Sequence, residues 1–174
     1  MDLLIREAQP DDAGAVVGIL NPIIEAGIYT VFDTPFTVED EREYILSFPQ
    51  QGIFNVAICR HDQKIVGFQS MEPFATYTHA FDHVGVLGTY VKLSSRRQGI
   101  ASSLFKTTFE AAENKGYKKI ITFIRADNPA ALAAYQSKGF NIVGTAQKQA
   151  KINRKYVDVI IIEKFLHGIV YNKS

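Results

Sequence analysis

The sequence predicts a single α/β domain, residues 1–174, in which predicted strands and helices follow one another along the chain. Two observations predict this fold. Runs rich in β-branched and aromatic residues, bounded by turn residues, alternate with segments whose apolar residues recur at helical spacing. The chain has 174 residues, of which 47% are apolar and 21% charged, enough for one domain with a substantial core.

The first part of the chain is predicted to form one strand and two helices. An aspartate follows Pro10 where it can cap a helix, and Thr37 with Asp40 three residues later has the pattern of a capping box. The aromatic segment, GIYTVFDTPF (residues 27–36), joins the two helices. The predicted elements are a strand over residues 3–7, a helix from Asp11 or Asp12 to about residue 26, and a helix from residue 37 to about 48.

The middle of the chain is predicted to be antiparallel sheet. Two apolar runs flank a polar turn at residues 61–63, which is typical of a hairpin. A loop, ATYTHAFDH, leads into a third strand. The predicted strands cover residues 54–59, 65–73 and 84–93.

A strand, a polar turn and a helix then follow in direct succession in GTYVKLSSRRQGIASSLFKTTFEAA. The first N–H groups of a helix lack intrahelical partners, and the helix dipole adds partial positive charge there. Gly99 lets the main chain approach a ligand, and Arg96 and Arg97 supply two cations. This turn is therefore predicted to bind a phosphate or pyrophosphate group.

The rest of the chain is predicted to form a strand, a short helix and a closing hairpin. Asn128 precedes Pro129, the arrangement of an N-cap followed by proline at the first helical position. The polar turn KINRK joins the last two β-rich runs. The predicted elements are a strand over residues 118–128, a helix over 129–140, and strands over 141–150 and 156–165.

Composition and missing motifs disfavour several functions. The net charge of +1 argues against nucleic-acid binding. Neither GxxxxGK[ST] nor GxGxxG occurs, which argues against nucleoside-triphosphate and dinucleotide folds. The single cysteine, Cys59, gives no disulfide framework or cysteine-based metal site and suits a reducing compartment. Without a signal peptide or a membrane-length apolar run, we expect a cytoplasmic protein with no metal and no membrane partner.

Two blocks of the chain resemble the GCN5-related N-acetyltransferase (GNAT) family. Residues 96–101, RRQGIA, fit the R/Q-x-x-G-x-G/A signature of the family's phosphate-binding turn. A second family pattern is matched further on by Asn128, Ala131, Tyr135, Gly139 and Phe140. The predicted order of strands and helices is also the order of that family, so the resemblance implies a mixed, mostly antiparallel twisted sheet, splayed at its centre, with helices on both faces.

The resemblance implies that acetyl-CoA is the cosubstrate. In similar proteins the sheet splays at its centre, beside the position of Val91, and free main-chain groups there pair with the pantetheine arm. Val91 and Leu93 would act through their backbones, and Asn128 would contact pantetheine. The implied cofactor-binding residues are Val91, Leu93, Arg96, Arg97, Gln98, Gly99, Ile100, Ala101, Ser102 and Asn128.

Acetyl transfer to an amine needs a proton for the leaving thiolate and an acceptor for the amine proton. A phenol with an ordinary pKa can protonate a thiolate at a cost of about 2 kcal/mol. The resemblance gives that role to Tyr135, whose other interpretation is an ordinary core aromatic. Relatives of the phosphinothricin and methionine-sulfoximine type often have a glutamate where this chain has Val86. The candidate proton acceptors are His83, His79, Asp82 and Glu72, of which the histidines are preferred because they titrate near neutral pH.

The aromatic segment is the predicted acceptor site. Tyr29, Phe32 and Phe36 would shape it, with Asp33 and Glu25 available to a cationic group. The same aromatics fit equally well as core residues. The resemblance implies a small, amino-acid-like amine as acceptor. A peptide N-terminus, a protein side chain, or a CoA-binding module without turnover are the alternatives, and a homodimer through the closing hairpin is a further expectation.

Overall fold

A seven-stranded sheet organises residues 1–167, which the computed structural model describes. The strands are β1 Leu3–Glu7, β2 Ile53–Cys59, β3 Ile65–Pro73, β4 Val84–Val91, β5 Lys119–Arg125, β6 Asn141–Ile152 and β7 Lys155–Phe165. Their order in the sheet is β1-β2-β3-β4-β5-β7-β6. Every neighbouring pair is antiparallel except β4 and β5, which are parallel. The predicted mixed and mostly antiparallel sheet is confirmed.

Helices cover both faces of this sheet, as predicted. They are α1 Ala13–Glu25, α2 Val38–Leu46, α3 Ile100–Asn114 and α4 Pro129–Gln136. On one face, Val16 and Ile23 of α1 share a buried cluster with Val56 of β2. On the other, Tyr135 of α4 contacts Phe105 of α3 edge to face, with ring centroids 5.1 Å apart. None of the helices in residues 1–167 is long and apolar enough to cross a membrane.

Two of the predicted helix starts are confirmed by their capping bonds. The Thr37 hydroxyl oxygen accepts the Asp40 N–H at 3.1 Å, so α2 begins where the pattern indicated. The Asn128 side-chain oxygen accepts the Ala131 N–H at 3.2 Å, and Pro129 is the first residue of α4. Each such cap is worth about 1 kcal/mol.

Other predicted boundaries differ from the structure. Asp12 lies before α1 without a side-chain cap bond, because its carboxylate binds both terminal nitrogens of Arg6, at 2.6 and 2.8 Å. The strand predicted to reach Leu93 ends at Val91, since a 3-10 turn starts at Leu93. The last helix ends at Gln136 rather than Phe140, because Gly139 has a φ of +87° and turns the chain.

The sheet opens between its two parallel strands. β4 and β5 pair over three residues only, from Val84 opposite Lys119 to Val86 opposite Ile121. The Thr122 hydroxyl then donates to the Leu87 carbonyl at 2.5 Å, which is a side-chain bond rather than a ladder bond. Beyond this point the edge of β4 that faces β5 has no strand partner among the described residues. The splayed centre is therefore present.

Candidate active site

A cavity of about 350 Å³, called the cleft below, fills the gap between β4 and β5. Its walls come from β4, from β5, from α4 and from the aromatic segment. The cleft brings together predicted site residues from four separate parts of the chain: Tyr29, Phe32, Val91, Arg96, Asn128 and Tyr135.

The turn before α3 has the backbone geometry of an anion site. Gly99 has a φ of +82°, a conformation that favours glycine, and no atom lies within 4 Å of where a Cβ would stand. The first intrahelical bond joins the Ser103 N–H to the Gly99 carbonyl at 3.1 Å. The N–H groups of Ile100, Ala101 and Ser102 consequently have no intrahelical acceptor and are available to a phosphate.

Arginine and asparagine side chains hold the aromatic segment: Arg96 from this turn, Arg125 from the end of β5 and Asn128 from the start of α4. The guanidinium carbon of Arg96 lies 4.0 Å from the centroid of the Tyr29 ring. The Asn128 amide donates to the Tyr29 carbonyl at 3.2 Å. Arg125, which is 5% exposed, donates to the carbonyls of Gly27 and Thr30 at 2.8 and 3.2 Å. The aromatic segment is thereby fixed across the mouth of the cleft.

Tyr135 presents a neutral phenol to the cleft from the face that carries α3 and α4. Its hydroxyl donates to the Thr89 hydroxyl oxygen at 2.8 Å, and that oxygen also accepts the Gln69 amide at 2.8 Å. Burial raises the pKa of Tyr135 to about 12, against the opposing effect of hydrogen bonds to Thr89 and Thr122. At neutral pH the phenol is protonated and can donate.

Glu72 reaches the cleft from the opposite face of the sheet. It is the direct cross-strand partner of Val86, so the two side chains point to the same side. Ser70 is likewise opposite Gly88, and Phe68 opposite Tyr90, which belongs with the α1 and α2 cluster. Val86, which stands where relatives often have a glutamate, has no carboxylate. The carboxylate of Glu72 lies beside that position on the neighbouring strand.

A second cavity of about 370 Å³, called the side cavity below, lies under α1 and α2 and adjoins the cleft. The two share part of their lining: Phe32, Tyr44, Ser70, Glu72 and Tyr90. The remaining wall of the side cavity is formed by Leu20, Phe36, Asp40, Glu41, Phe54 and Phe68. A small molecule in the side cavity would therefore border the gap between β4 and β5.

Comparison with known proteins identifies the family of this fold and site. The sequence profile of the Acetyltransferase (GNAT) family matches residues 25–140. The chain belongs to the GNAT family. The turn before α3, Tyr135 and the whole cleft lining except Ile23 lie within the matched residues, and the chain is an acetyltransferase.

Individual GNAT relatives match nearly the whole chain. A phosphinothricin N-acetyltransferase from Streptomyces coelicolor is 24% identical over 165 residues, which cover 94% of this chain and 96% of the relative. A ribosomal-protein-alanine N-acetyltransferase from Brucella melitensis of known crystal structure is 26% identical, with a TM-score of 0.87 over 94% of this chain and 99% of its own. The protein yncA from Salmonella typhimurium, solved with its cofactor acetyl-CoA, shares the fold at 15% identity, with a TM-score of 0.88 over 100% of this chain and 99% of its own.

The GNAT cleft does not include every residue that the sequence singled out. His79 and His83 are exposed and line neither cavity, and the Nδ1 of His79 lies 2.9 Å from an Asp82 carboxylate oxygen. Leu93, Arg97 and Gln98 are exposed on the turn, outside the cleft wall. Phe36 lines the side cavity only, and Asp33 and Glu25 line neither.

Some residues of this acetyltransferase site carry no signal in the sequence. Thr89 and Gln69 are polar residues of ordinary strand patterns, and only their pairing across β3 and β4 places them beside Tyr135. Glu41 lies in the acidic first turn of α2, where the helix dipole already accounts for acidic residues. Its burial, at 5% exposure, depends on how α2 packs.

Proposed function

We propose that this acetyltransferase moves the acetyl group of acetyl-CoA directly to the amine of a small, amino-acid-like substrate. The observation that carries the proposal is the open edge of β4, which leads from the phosphate turn to Tyr135. Free main-chain groups of β4, including those of Val91, would pair with the pantetheine arm, and the N–H groups after Gly99 would hold the pyrophosphate. The name of the Streptomyces relative, phosphinothricin N-acetyltransferase, supports a small-molecule acceptor.

The reaction needs one bond formed and one broken. The neutral amine attacks the thioester carbonyl, a C–N bond forms, and the C–S bond breaks. The thiolate of CoA then takes a proton or a hydrogen bond from the Tyr135 hydroxyl. A pKa of about 12 makes full transfer from Tyr135 to a thiolate of pKa about 8.5 unfavourable by roughly 5 kcal/mol, more than an ordinary phenol would need. Burial of the thiolate in the same cleft raises its pKa too and offsets part of this cost.

For the proton acceptor we favour Glu72 over the two histidines. Of the four groups that the sequence offered, only Glu72 lines the cleft. It stands beside Val86, on the face of β4 opposite Thr89, so amine and thiolate would be served from opposite sides of the gap. His83 or His79 would act only through intervening water. Replacing Glu72 by Gln should lower kcat and steepen its dependence on pH, whereas His79→Gln should change neither.

A screen of thiol release tests the proposed function. Each reaction contains purified protein, acetyl-CoA and one class of amine, and free CoA is measured over time. The classes are amino acids, amino-acid amides, polyamines and short peptides. Release that depends on a small amine supports the proposal. Release with peptides alone would favour a peptide or protein acceptor, the class named in the Brucella relative, a ribosomal-protein-alanine N-acetyltransferase. Binding of acetyl-CoA without release from any amine would indicate a CoA-binding module and contradict the proposal.

Assembly and cellular location remain predictions. β6 forms one edge of the sheet, beside β7, so the closing hairpin offers unpaired backbone groups to a second copy of the chain. We propose a cytoplasmic homodimer formed by a single domain. Sedimentation equilibrium over a range of concentrations would give twice the chain mass for the dimer.

A further inference from the structure

We propose that the acceptor is a cationic amine without a carboxylate, recognised in the side cavity by Glu41 and Glu72. Amino-acid amides and decarboxylated amines with an apolar body belong to this class, and free amino acids do not. The inference rests on the proposed function, since it names the substrate class of the same site.

Glu41 is the residue that points to a cationic ligand. It is 5% exposed and lines the side cavity. Its carboxylate makes no hydrogen bond or ion pair with any of residues 1–167, as shown by the polar contacts of that part of the chain. A buried carboxylate without a partner is costly, and burial raises the pKa of Glu41 to about 7. An ammonium group in the side cavity would supply the missing partner.

Two further carboxylates line the same cavity. Glu72 enters from β3 at the border with the cleft, and Asp40 lies in the same turn of α2 as Glu41. Asp40 is already engaged, because its side chain accepts the Thr37 hydroxyl at 2.6 Å. Glu72 interacts with the Tyr44 hydroxyl, which leaves its carboxylate able to accept further hydrogen bonds, and Glu41 has no such partner. Glu41 and Glu72 are the two carboxylates that an acceptor amine would meet at this border.

Among residues 1–167, no cationic side chain lines the side cavity to receive a substrate carboxylate. Within the cleft, Arg125 is held by Asp127, whose two carboxylate oxygens lie 2.8 and 2.7 Å from its Nε and Nη2. Arg96 stacks on Tyr29 at the phosphate turn. Arg42 of α2 binds Asp11 at 2.8 Å instead of facing the cavity. The loop over residues 74–83 contains neither lysine nor arginine.

Aromatic rings form the rest of the wall and fit an apolar or cationic body. Tyr90 stacks on Phe68, with ring centroids 4.8 Å apart, and Phe32 lies edge to face with Phe36 at 5.4 Å. Such rings attract cations and apolar groups alike. A free amino acid would place its carboxylate against these rings and near Glu41 and Glu72, where like charges repel.

Matched acceptors test the inference. Each series of acceptors keeps one side chain and carries a carboxylate, an amide in its place, or neither. The two series are phenylalanine, phenylalaninamide and phenethylamine, and leucine, leucinamide and isoamylamine. The measured quantity is kcat/KM for thiol release at saturating acetyl-CoA. We expect both carboxylate-free amines to exceed the free amino acid by at least about 30-fold in each series, the order of one buried charge repulsion. Phenethylamine is more basic than phenylalanine, so easier deprotonation cannot explain its preference.

Two variants assign the preference to the side cavity. Glu41→Gln should lower kcat/KM for phenethylamine about 10-fold and leave the value for phenylalanine unchanged or higher, because one charge is removed. Glu43→Gln, on the exposed side of the same helix, is the matched control. It should leave the ratio of kcat/KM for phenethylamine to kcat/KM for phenylalanine unchanged.

The outcomes separate this inference from the proposed function. If phenylalanine matches or exceeds both carboxylate-free amines, the inference is overturned and the proposed function stands. An unchanged preference in Glu41→Gln, with the protein still folded, overturns the assignment to Glu41. Absence of thiol release with every amine overturns the proposed function, and the inference with it.

Discussion

The two sides of the cleft differ in how their polar groups are satisfied. On the side of α3 and α4, the Thr89 hydroxyl oxygen accepts from the Tyr135 hydroxyl and from the Gln69 amide, each at 2.8 Å, and the Gln69 Oε1 is a buried atom without a hydrogen-bond partner among residues 1–167. On the side of α1 and α2, the buried Glu41 has no partner among residues 1–167. A hydrogen-bonded network fixes a reacting group in place, whereas an unpaired carboxylate is a cost that a ligand can relieve. The side of α3 and α4, called the donor side below, suits acetyl-CoA, the acetyl donor common to the family. The side of α1 and α2, called the acceptor side, suits an amine substrate particular to this chain.

The largest expected effect is on the phosphate turn. Gly99→Glu places a side chain and a negative charge in the open space before α3, so binding of acetyl-CoA should fall by more than about 100-fold. Calorimetric titration measures it. Gly116→Glu is the matched control, because Gly116 has a φ of +90° and open space too, at the far end of α3. Equal binding loss in both variants would attribute the effect to backbone strain and contradict our explanation.

Tyr135→Phe tests the donor side next. Loss of the hydroxyl should lower kcat by roughly 100-fold, the usual contribution of a general acid, and leave acetyl-CoA affinity nearly unchanged. Steady-state kinetics and a binding titration separate the two quantities. Tyr117→Phe is the control, since Tyr117 is also buried and its hydroxyl donates to the Gln51 carbonyl, outside the cleft. An unchanged kcat in Tyr135→Phe would remove this residue from the mechanism.

Glu41→Gln tests the acceptor side through stability. The carboxyl pKa rises from 4.5 in the unfolded chain to about 7 in the folded one, so folding favours the protonated form. The free energy of unfolding therefore falls as pH rises from 4.5 to 7, by roughly 3 kcal/mol, and stays low above that. The variant should be more stable than the parent at pH 8 and similar to it at pH 4.5. Urea unfolding at both pH values measures this, and equal stability at pH 8 would show that Glu41 is not strained by burial.

The smallest expected effect comes from Thr89→Val. Valine has the same shape but cannot accept from Tyr135 and Gln69, so the phenol loses its fixed orientation. We expect kcat to fall by about 10-fold and the free energy of unfolding by about 1 to 3 kcal/mol. Thr107→Val, on α3 away from the cleft, is the control. If kcat is unchanged while Tyr135→Phe is impaired, the network does not position the phenol.

The sequence predicted the donor side because its signals are local. Gly99 before a helix, Asn128 before Pro129 and Tyr135 in its family pattern are each recognised from a motif of only a few residues, so the sequence was enough to single them out. The same locality explains why the end of β4 at Val91 was missed, since a single 3-10 turn decides it.

The acceptor side was predicted only in part, because it is assembled by tertiary contacts. The sequence indicated the aromatic segment and offered Glu72 as one of four candidate proton acceptors. Glu72 acquires its place beside Val86 through the register of β3 and β4. Glu41 differs from Glu39 and Glu43 only in the face of α2 that it occupies, and the acidic sequence VEDERE gives no indication of which carboxylate is buried. The histidines were preferred for their pKa, a property of the residue type, although the structure leaves them outside both cavities.

Thermal unfolding with and without acetyl-CoA tests the central claim most directly, namely that the phosphate turn and the open edge of β4 bind this cosubstrate. At about 100 times the dissociation constant the ligand should add roughly 2.7 kcal/mol of stability. For a chain of 174 residues this corresponds to a rise in the unfolding midpoint of about 5 to 10 °C, which Gly99→Glu should abolish and Glu41→Gln should preserve. No rise in the unmodified protein would contradict the account.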